Sequence, residues 1–154
     1  MTTRDRILIL DGQTNQALAC VRSLGKAGYE VKVASHQRMS LGAWSRHCSG
    51  SFHLEGQTIE AFAALRQWAI SQGVTIVLPM TERSCVLCNA DRSEWENAGI
   101  ILGCAPDEML QAAFDKAITV RRAQQLGVAV PTTVIPESYD DAVSAIEHMG
   151  FPCV

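Results

Sequence analysis

The chain lacks any apolar run approaching the ~20 residues that a membrane-spanning helix needs. Ile7-Leu8-Ile9-Leu10 stops at Asp11, too early to serve as the core of a signal peptide. A cytoplasmic protein without a membrane partner is the expectation. Proline is scarce, five residues in 154, and 47% of residues are hydrophobic against 19% charged, which excludes disordered, collagenous and coiled-coil chains. Basic clusters are missing too. Thirteen Lys plus Arg against sixteen Asp plus Glu leave a net charge of −3, so a nucleic-acid partner has no electrostatic footprint. His36, His47, His53 and His148 show no metal-ligand spacing, and no Gly-x-Ser-x-Gly elbow exists, so metal-dependent hydrolysis and acyl-serine chemistry lack their residues. Cys85-Val86-Leu87-Cys88 has zinc or redox spacing without a second Cys or His pair. The six cysteines (20, 48, 85, 88, 104, 153) are scattered through helical and strand patterns, which suits reduced, half-buried thiols. Trp44, Trp68 and Trp95 read as helix packing or loop anchoring, with cofactor stacking as the lesser alternative.

What is present is alternation. Short β-rich apolar runs and helix-length amphipathic stretches succeed one another over the first hundred residues, the pattern of an α/β, three-layer open parallel sheet. Strands are predicted at 6–10, 30–34, 52–54, 75–78 and 100–102. A helix carrying Ala17, Leu18, Val21 and Leu24 follows the first strand. Thr58 is expected to cap a second, with Ile59, Phe62, Leu65 and Ile70 facing inward. Thr81 is expected to cap a third, in which Val86, Leu87 and Trp95 face the sheet before Gly99 ends it. The polar connection over 35–51 is long, and long connections are often functional. Beyond Gly103 the rhythm changes to short helices opening at Pro106-Asp107-Glu108 and at Asp115, a strand over 132–135, a helix over 139–149 built on Ala142, Ile146 and Met149, and the start of a strand over 151–154. Such a strand, helix and strand start cannot bury their own apolar faces, so a truncated second domain is the expectation.

Two places invite a ligand. The loop Asp11-Gly12-Gln13-Thr14-Asn15 joins a strand to a helix and so directs backbone N–H groups toward whatever binds there. It supplies one glycine where the dinucleotide fingerprint needs three, and no Walker-type lysine follows. The second place, Pro79-Met80-Thr81-Glu82-Arg83, lies at the carboxyl end of a central strand, where open α/β sheets keep their ligand crevice. Glu82 is placed there either to contact a ligand or to favour the helix dipole, a contribution of ~0.3–1 kcal/mol.

Phe114-Asp115-Lys116, Gly127-Val128-Ala129-Val130-Pro131-Thr132 and Gly150-Phe151-Pro152-Cys153-Val154 resemble the opening of the ATP-grasp domain. Upstream, Ile7-Leu8-Ile9-Leu10, the Gly12 loop, Arg22-Ser23-Leu24-Gly25 and the turn at Pro79 to Glu82 fall in the order of the preceding, Rossmann-like pre-ATP-grasp domain. The resemblance implies a pre-ATP-grasp domain over 1–112 and the amino-terminal edge of an incomplete α+β ATP-grasp domain over 113–154, similar to carbamoyl-phosphate-synthase large-subunit-like proteins and carboxylate–amine ligases. It implies an ATP-dependent ligase that activates a carboxylate or bicarbonate as an acyl phosphate. ATP and magnesium would serve the complete enzyme, and the chain alone would be inactive, with no metal ligand of its own. By the same resemblance Lys116 reaches the nucleotide phosphates, and Gly12, Gln13, Thr14, Thr81 and Glu82 line the substrate side for a small carboxylate. No catalytic residue is assigned, and homodimerisation stays open. A non-catalytic α/β nucleotide- or ligand-binding module is the alternative.

Overall fold

The computed structural model describes residues 5–151, which divide after Asp107 into two compact units. In the first unit, β1 (Arg6–Ile9), β2 (Glu30–Ser35), β3 (Cys48–His53), β4 (Ile76–Leu78) and β5 (Ile101–Leu102) form one parallel sheet in the order β3-β2-β1-β4-β5. Ile7 pairs with Val31 on one side and with Ile76 on the other. Period-two geometry sends alternate side chains of the central strand to opposite faces. Ile7 and Ile9 join Val31 and Val33 beneath Ala17 and Val21 of α1 (Asn15–Lys26). Leu8 and Leu10 join Ala34 and Val77 on the other face, with Phe62, Leu65 and Ala69 of α2 (Ile59–Ser71), Leu87 and Cys88 of α3 (Glu82–Ala90) and Trp95 of α4 (Arg92–Asn97). The three-layer expectation is borne out. A buried Leu, Ile or Phe contributes about 1.5–3 kcal/mol, so these two clusters hold the sheet between its helices.

Four local expectations are corrected. The strand expected at 52–54 begins earlier, at Cys48. Its polar residues occupy a sheet edge with a register shift opposite Val31 and Lys32, where half-burial replaces an apolar signal. Ile59 and Ile70 are 52% and 43% exposed, and the inward stripe of α2 is Phe62, Leu65, Arg66 and Ala69. The single helix expected after Thr81 is two helices, α3 and α4, broken at Asp91. That carboxylate accepts from the buried Arg66 guanidinium at 3.0 Å, and the guanidinium also lies over the Trp95 ring. Val86, expected on the sheet, is instead 41% exposed, and Trp44 is 74% exposed.

In the second unit, α5 (Asp107–Phe114) runs in from the boundary, and α6 (Lys116–Gln125) and α7 (Tyr139–Met149) follow, none with a buried residue. Residues 132–135, expected as a strand, form no ladder, because no partner strand lies beside them among the described residues. The expected strand start over 151–154 lies outside the described residues after Phe151, which is exposed. No described helix is long and apolar enough to cross a membrane.

Candidate functional site

Strand order reverses between β1 and β4, since the chain moves from β1 to β2 on one side and from β4 to β5 on the other. Parallel sheets open a crevice at the carboxyl edge of such a point. The loop leaving β1 is laced to both neighbours: Leu10 N donates to Leu78 O and Gly12 N to Ala34 O, each at 3.0 Å. The Gly12 amide is thus spent within the fold. Glycine is required here for space, because a Cβ would stand 2.4 Å from Val33 Cγ1 and 2.9 Å from Ser40 Oγ. The Gly12 carbonyl accepts from Gly42 N at 2.8 Å, tying the long β2–β3 connection to the same loop.

Asp11 organises the crevice. It adopts a φ of +57°, in the left-handed region that Asp tolerates better than most residues, and it is 3% exposed. One carboxylate oxygen, Oδ1, accepts from Ser84 Oγ at 2.7 Å, and Oδ2 accepts from Met80 N at 3.1 Å. The loop after β1 and the start of α3 are therefore joined through one buried acid. Thr81 completes the chain: its Oγ1 accepts from Ser84 N at 3.3 Å, and its hydroxyl donates to Ser84 Oγ at 3.3 Å. Sequence reasoning named Thr81 and Glu82 but missed Asp11 and Ser84. An acid immediately after an apolar strand run was the available signal.

Gly12, Gln13 and Thr14 follow Asp11 in the chain, and Thr81 and Glu82 lie between its partners Met80 and Ser84, with different freedom left to each. Gln13 Oε1 accepts from Ser35 Oγ at 2.8 Å, while its amide NH2 has no partner among the described residues. Thr14 caps α1, its Oγ1 accepting from Ala17 N at 3.2 Å, and its hydroxyl proton is left to donate. The first amides of α1 have no intrahelical acceptor. Glu82 is exposed and without a hydrogen-bond or ion-pair partner among the described residues. Donors thus lie on the α1 side and an anionic acceptor on the α3 side, an arrangement able to orient a small molecule carrying both an acid and a hydrogen-bond donor.

The neighbouring thiols are not built for nucleophilic work. Burial pushes the Cys85 thiol up to about 11, reinforced by Cys104 and by the charges of Asp11 and Glu82. Burial likewise raises Cys88, and it raises Cys104 against the opposing influence of Arg92. Thiolate is the reactive form, so these groups act as core thiols at neutral pH. No three His, Cys, Asp or Glu side chains come together to hold a metal among the described residues.

Lys116 belongs to the second unit. It is exposed, the first residue of α6, and follows the N-cap Asp115, whose Oδ1 accepts from Ala117 N at 2.8 Å and Ile118 N at 3.0 Å. Those helix amides are occupied, so a phosphate there would be met by the ammonium group.

No family model and no curated protein matches the sequence. Solved structures do match the fold. The biotin carboxylase domain of a single-chain bacterial carboxylase is similar with a TM-score of 0.64 and 23% identity over 94% of this chain and 34% of its own. N5-carboxyaminoimidazole synthetase from Staphylococcus aureus, complexed with ADP, gives a TM-score of 0.70 and 16% identity over 97% of this chain and 38% of its own. The biotin carboxylase domain dimer of the Hydrogenobacter thermophilus 2-oxoglutarate carboxylase, in complex with MgADP, ADP and bicarbonate, gives 0.62 and 15% over 99% of this chain and 34% of its own. The chain spans little more than a third of the length of these proteins. At such identities the likeness shows the fold alone: this chain has the fold of about a third of each of these biotin carboxylase and N5-carboxyaminoimidazole synthetase chains.

Proposed function

We propose that the chain is the amino-terminal part of an ATP-dependent ligase of the carbamoyl-phosphate-synthase-like kind. The complete enzyme would transfer the γ-phosphoryl group of ATP to a carboxylate or bicarbonate, and an amine or other nucleophile would then displace phosphate from the acyl phosphate. What supports the reading is the point where strand order reverses between β1 and β4, at which a buried acid ties the loop after β1 to the head of α3. Residues 1–112 correspond to the pre-ATP-grasp domain and 113–154 to the edge of the ATP-grasp domain in this reading.

Within that scheme the Gln13 amide and the Thr14 hydroxyl hold the carboxylate substrate, and Glu82 accepts a hydrogen bond from the incoming nucleophile or from the substrate's own donor groups. Thr81 keeps Glu82 at the head of α3, and Gly12 keeps the loop close against β2. Lys116 contributes a compact cation to the nucleotide phosphates. Magnesium, when bound, would neutralise phosphate charge during transfer. Among the described residues no three His, Cys, Asp or Glu side chains gather to hold a metal on their own. The neighbour that binds bicarbonate and MgADP is a dimer, and a homodimer in the cytoplasm is part of the same reading.

The test is carboxylate-dependent release of ADP from MgATP by the full-length polypeptide that contains this chain, assayed over a panel of small carboxylates and bicarbonate. Glu82→Gln is expected to lower kcat/KM for the carboxylate by about 10–100-fold, and Lys116→Met to raise KM for ATP. The 154-residue chain alone is expected to bind MgATP no tighter than millimolar in this cleft. Full activity in both variants would overturn the assignment.

A further inference from the structure

A second concave site lies on α1 away from the crevice. The helix carries no acidic residue, and Arg22 and Lys26, one turn apart, have no carboxylate within ion-pair distance among the described residues. Relative to the Thr14 cap they stand about 12 and about 18 Å along the helix axis, at a rise of 1.5 Å per residue. The β2–β3 connection adds Arg46 and His47, with Arg46 Nε donating to His47 Nε2 at 3.4 Å. That connection is docked closely on the helix. A Cβ at Gly25 would lie 2.4 Å from His47 Cβ, so the glycine inside α1 is what admits the imidazole. It is also internally fixed, with Trp44 N donating to Ser40 O at 3.1 Å, Ser45 N to Gly42 O at 3.1 Å and Cys48 N to Ser45 O at 2.9 Å.

The outcome is a cavity of about 450 Å³ walled by Arg22, Lys26, Trp44, Arg46 and His47. It shares Arg22, Trp44 and Ser45 with a second of about 380 Å³, whose remaining walls include Leu18, Met39 and Leu41. No carboxylate lines either one. Trp44 and Met39 are each 74% exposed, so the indole meets solvent where the cationic and apolar halves join. Three permanent cations gathered without a counter-charge in a chain of net charge −3 repel one another until an anion joins them. Exposed apolar side chains beside them favour a ligand that is not a bare anion. Both volumes fall in the range of small-molecule sites.

We propose that this paired cavity binds a nucleoside phosphate, its base stacked on the Trp44 indole beside Leu41 and Met39 and its phosphate oxygens held between Arg22, Lys26 and Arg46. Stacking accepts any base, whereas the fork of an arginine matches phosphate oxygens. Its walls include none of Gln13, Thr14, Thr81, Glu82 and Lys116, although Ser40 of the second cavity lies against Gly12.

The test is calorimetric titration of the 154-residue chain with ADP, AMP, adenosine and inorganic pyrophosphate at low ionic strength, with fluorescence quenching recorded in parallel. Saturable ADP binding with quenching is expected, and adenosine and pyrophosphate, each lacking one half of the ligand, are expected to bind about tenfold or more weakly. Arg22→Ala, Lys26→Ala and Trp44→Leu should each weaken ADP by about tenfold with an unchanged circular dichroism spectrum. Any change made by Lys116→Met should be smaller than that made by Arg22→Ala, which separates this site from the phosphate contact proposed above. The proposal is overturned if no heat or quenching saturates by about 5 mM ADP, if pyrophosphate matches ADP, or if binding responds to Lys116→Met and not to Arg22→Ala.

Discussion

Asp11→Ala is the substitution that most directly tests the crevice. It removes the acceptor of two hydrogen bonds, from Ser84 Oγ and Met80 N, and strands donors on residues that cannot reach water easily, Ser84 being 1% exposed. Hydrogen bonds to a charged group contribute about 1.5–3 kcal/mol each in net. Two sharing one carboxylate do not add fully, and release of a desolvated charge offsets part of the loss. Alanine also tolerates the φ of +57° less well than aspartate, adding about 1 kcal/mol. The sum is a destabilisation of about 3–4 kcal/mol, a large share of the ~5–15 kcal/mol by which domains are stable. Urea unfolding followed by fluorescence of the fully buried Trp95 reports on this unit. With a slope of about 1–3 kcal/mol/M, the midpoint should fall by roughly 2 M. Asp11→Asn retains one acceptor and the tolerance of left-handed backbone, so it should cost about half as much. Should Asp11→Ala unfold within about 1 kcal/mol of the unsubstituted chain, the bridging acid is not what holds the two loops together.

Other substitutions test the same frame. Gly12→Ala drives a methyl into Val33 and Ser40 and should cost about 1–3 kcal/mol, read as a fall in melting temperature. Thr81→Ala removes the acceptor for Ser84 N at the head of α3 and should cost about 1 kcal/mol in the same urea assay, with Thr81→Ser largely restoring stability. Raised thiol pKa values make the folded form hold protons that the unfolded chain has already lost. Stability contributed by Cys85 is therefore complete below the ordinary thiol range and declines as pH climbs through that range toward about 11. Urea midpoints measured at pH 8 and pH 10.5 should show that decline, and Cys85→Ala should reduce it.

Much of the fold was legible because its signals are local. The apolar run at Ile7 to Leu10 and the valines of Glu30 to Ala34 announce strands, and Thr58 and Thr81 announce helix starts, since a capping hydroxyl satisfies amides only two or three residues away. Where local signals are ambiguous the reading slipped. Cys48 to Ser51 carry no apolar alternation, yet they pair with β2, because an edge strand needs only one neighbour and can stay half-buried. The break falls at Asp91, which pairs with Arg66 twenty-five residues earlier, and nothing within a few positions of Asp91 signals that partner.

The sequence by itself determined the alternation of strands and helices over the first hundred residues and the caps Thr58 and Thr81, which depend on neighbours within a few positions. Only the tertiary structure decided that Asp11 bridges to Met80 and Ser84, that Gly12 is a packing requirement, and that Arg22, Lys26, Arg46 and Trp44 share one cavity. Those facts join residues up to 73 positions apart in the chain, and no periodicity or propensity reaches across that distance. Contacts of that span come into being only when β1 and β4 pair and α1 packs against the sheet.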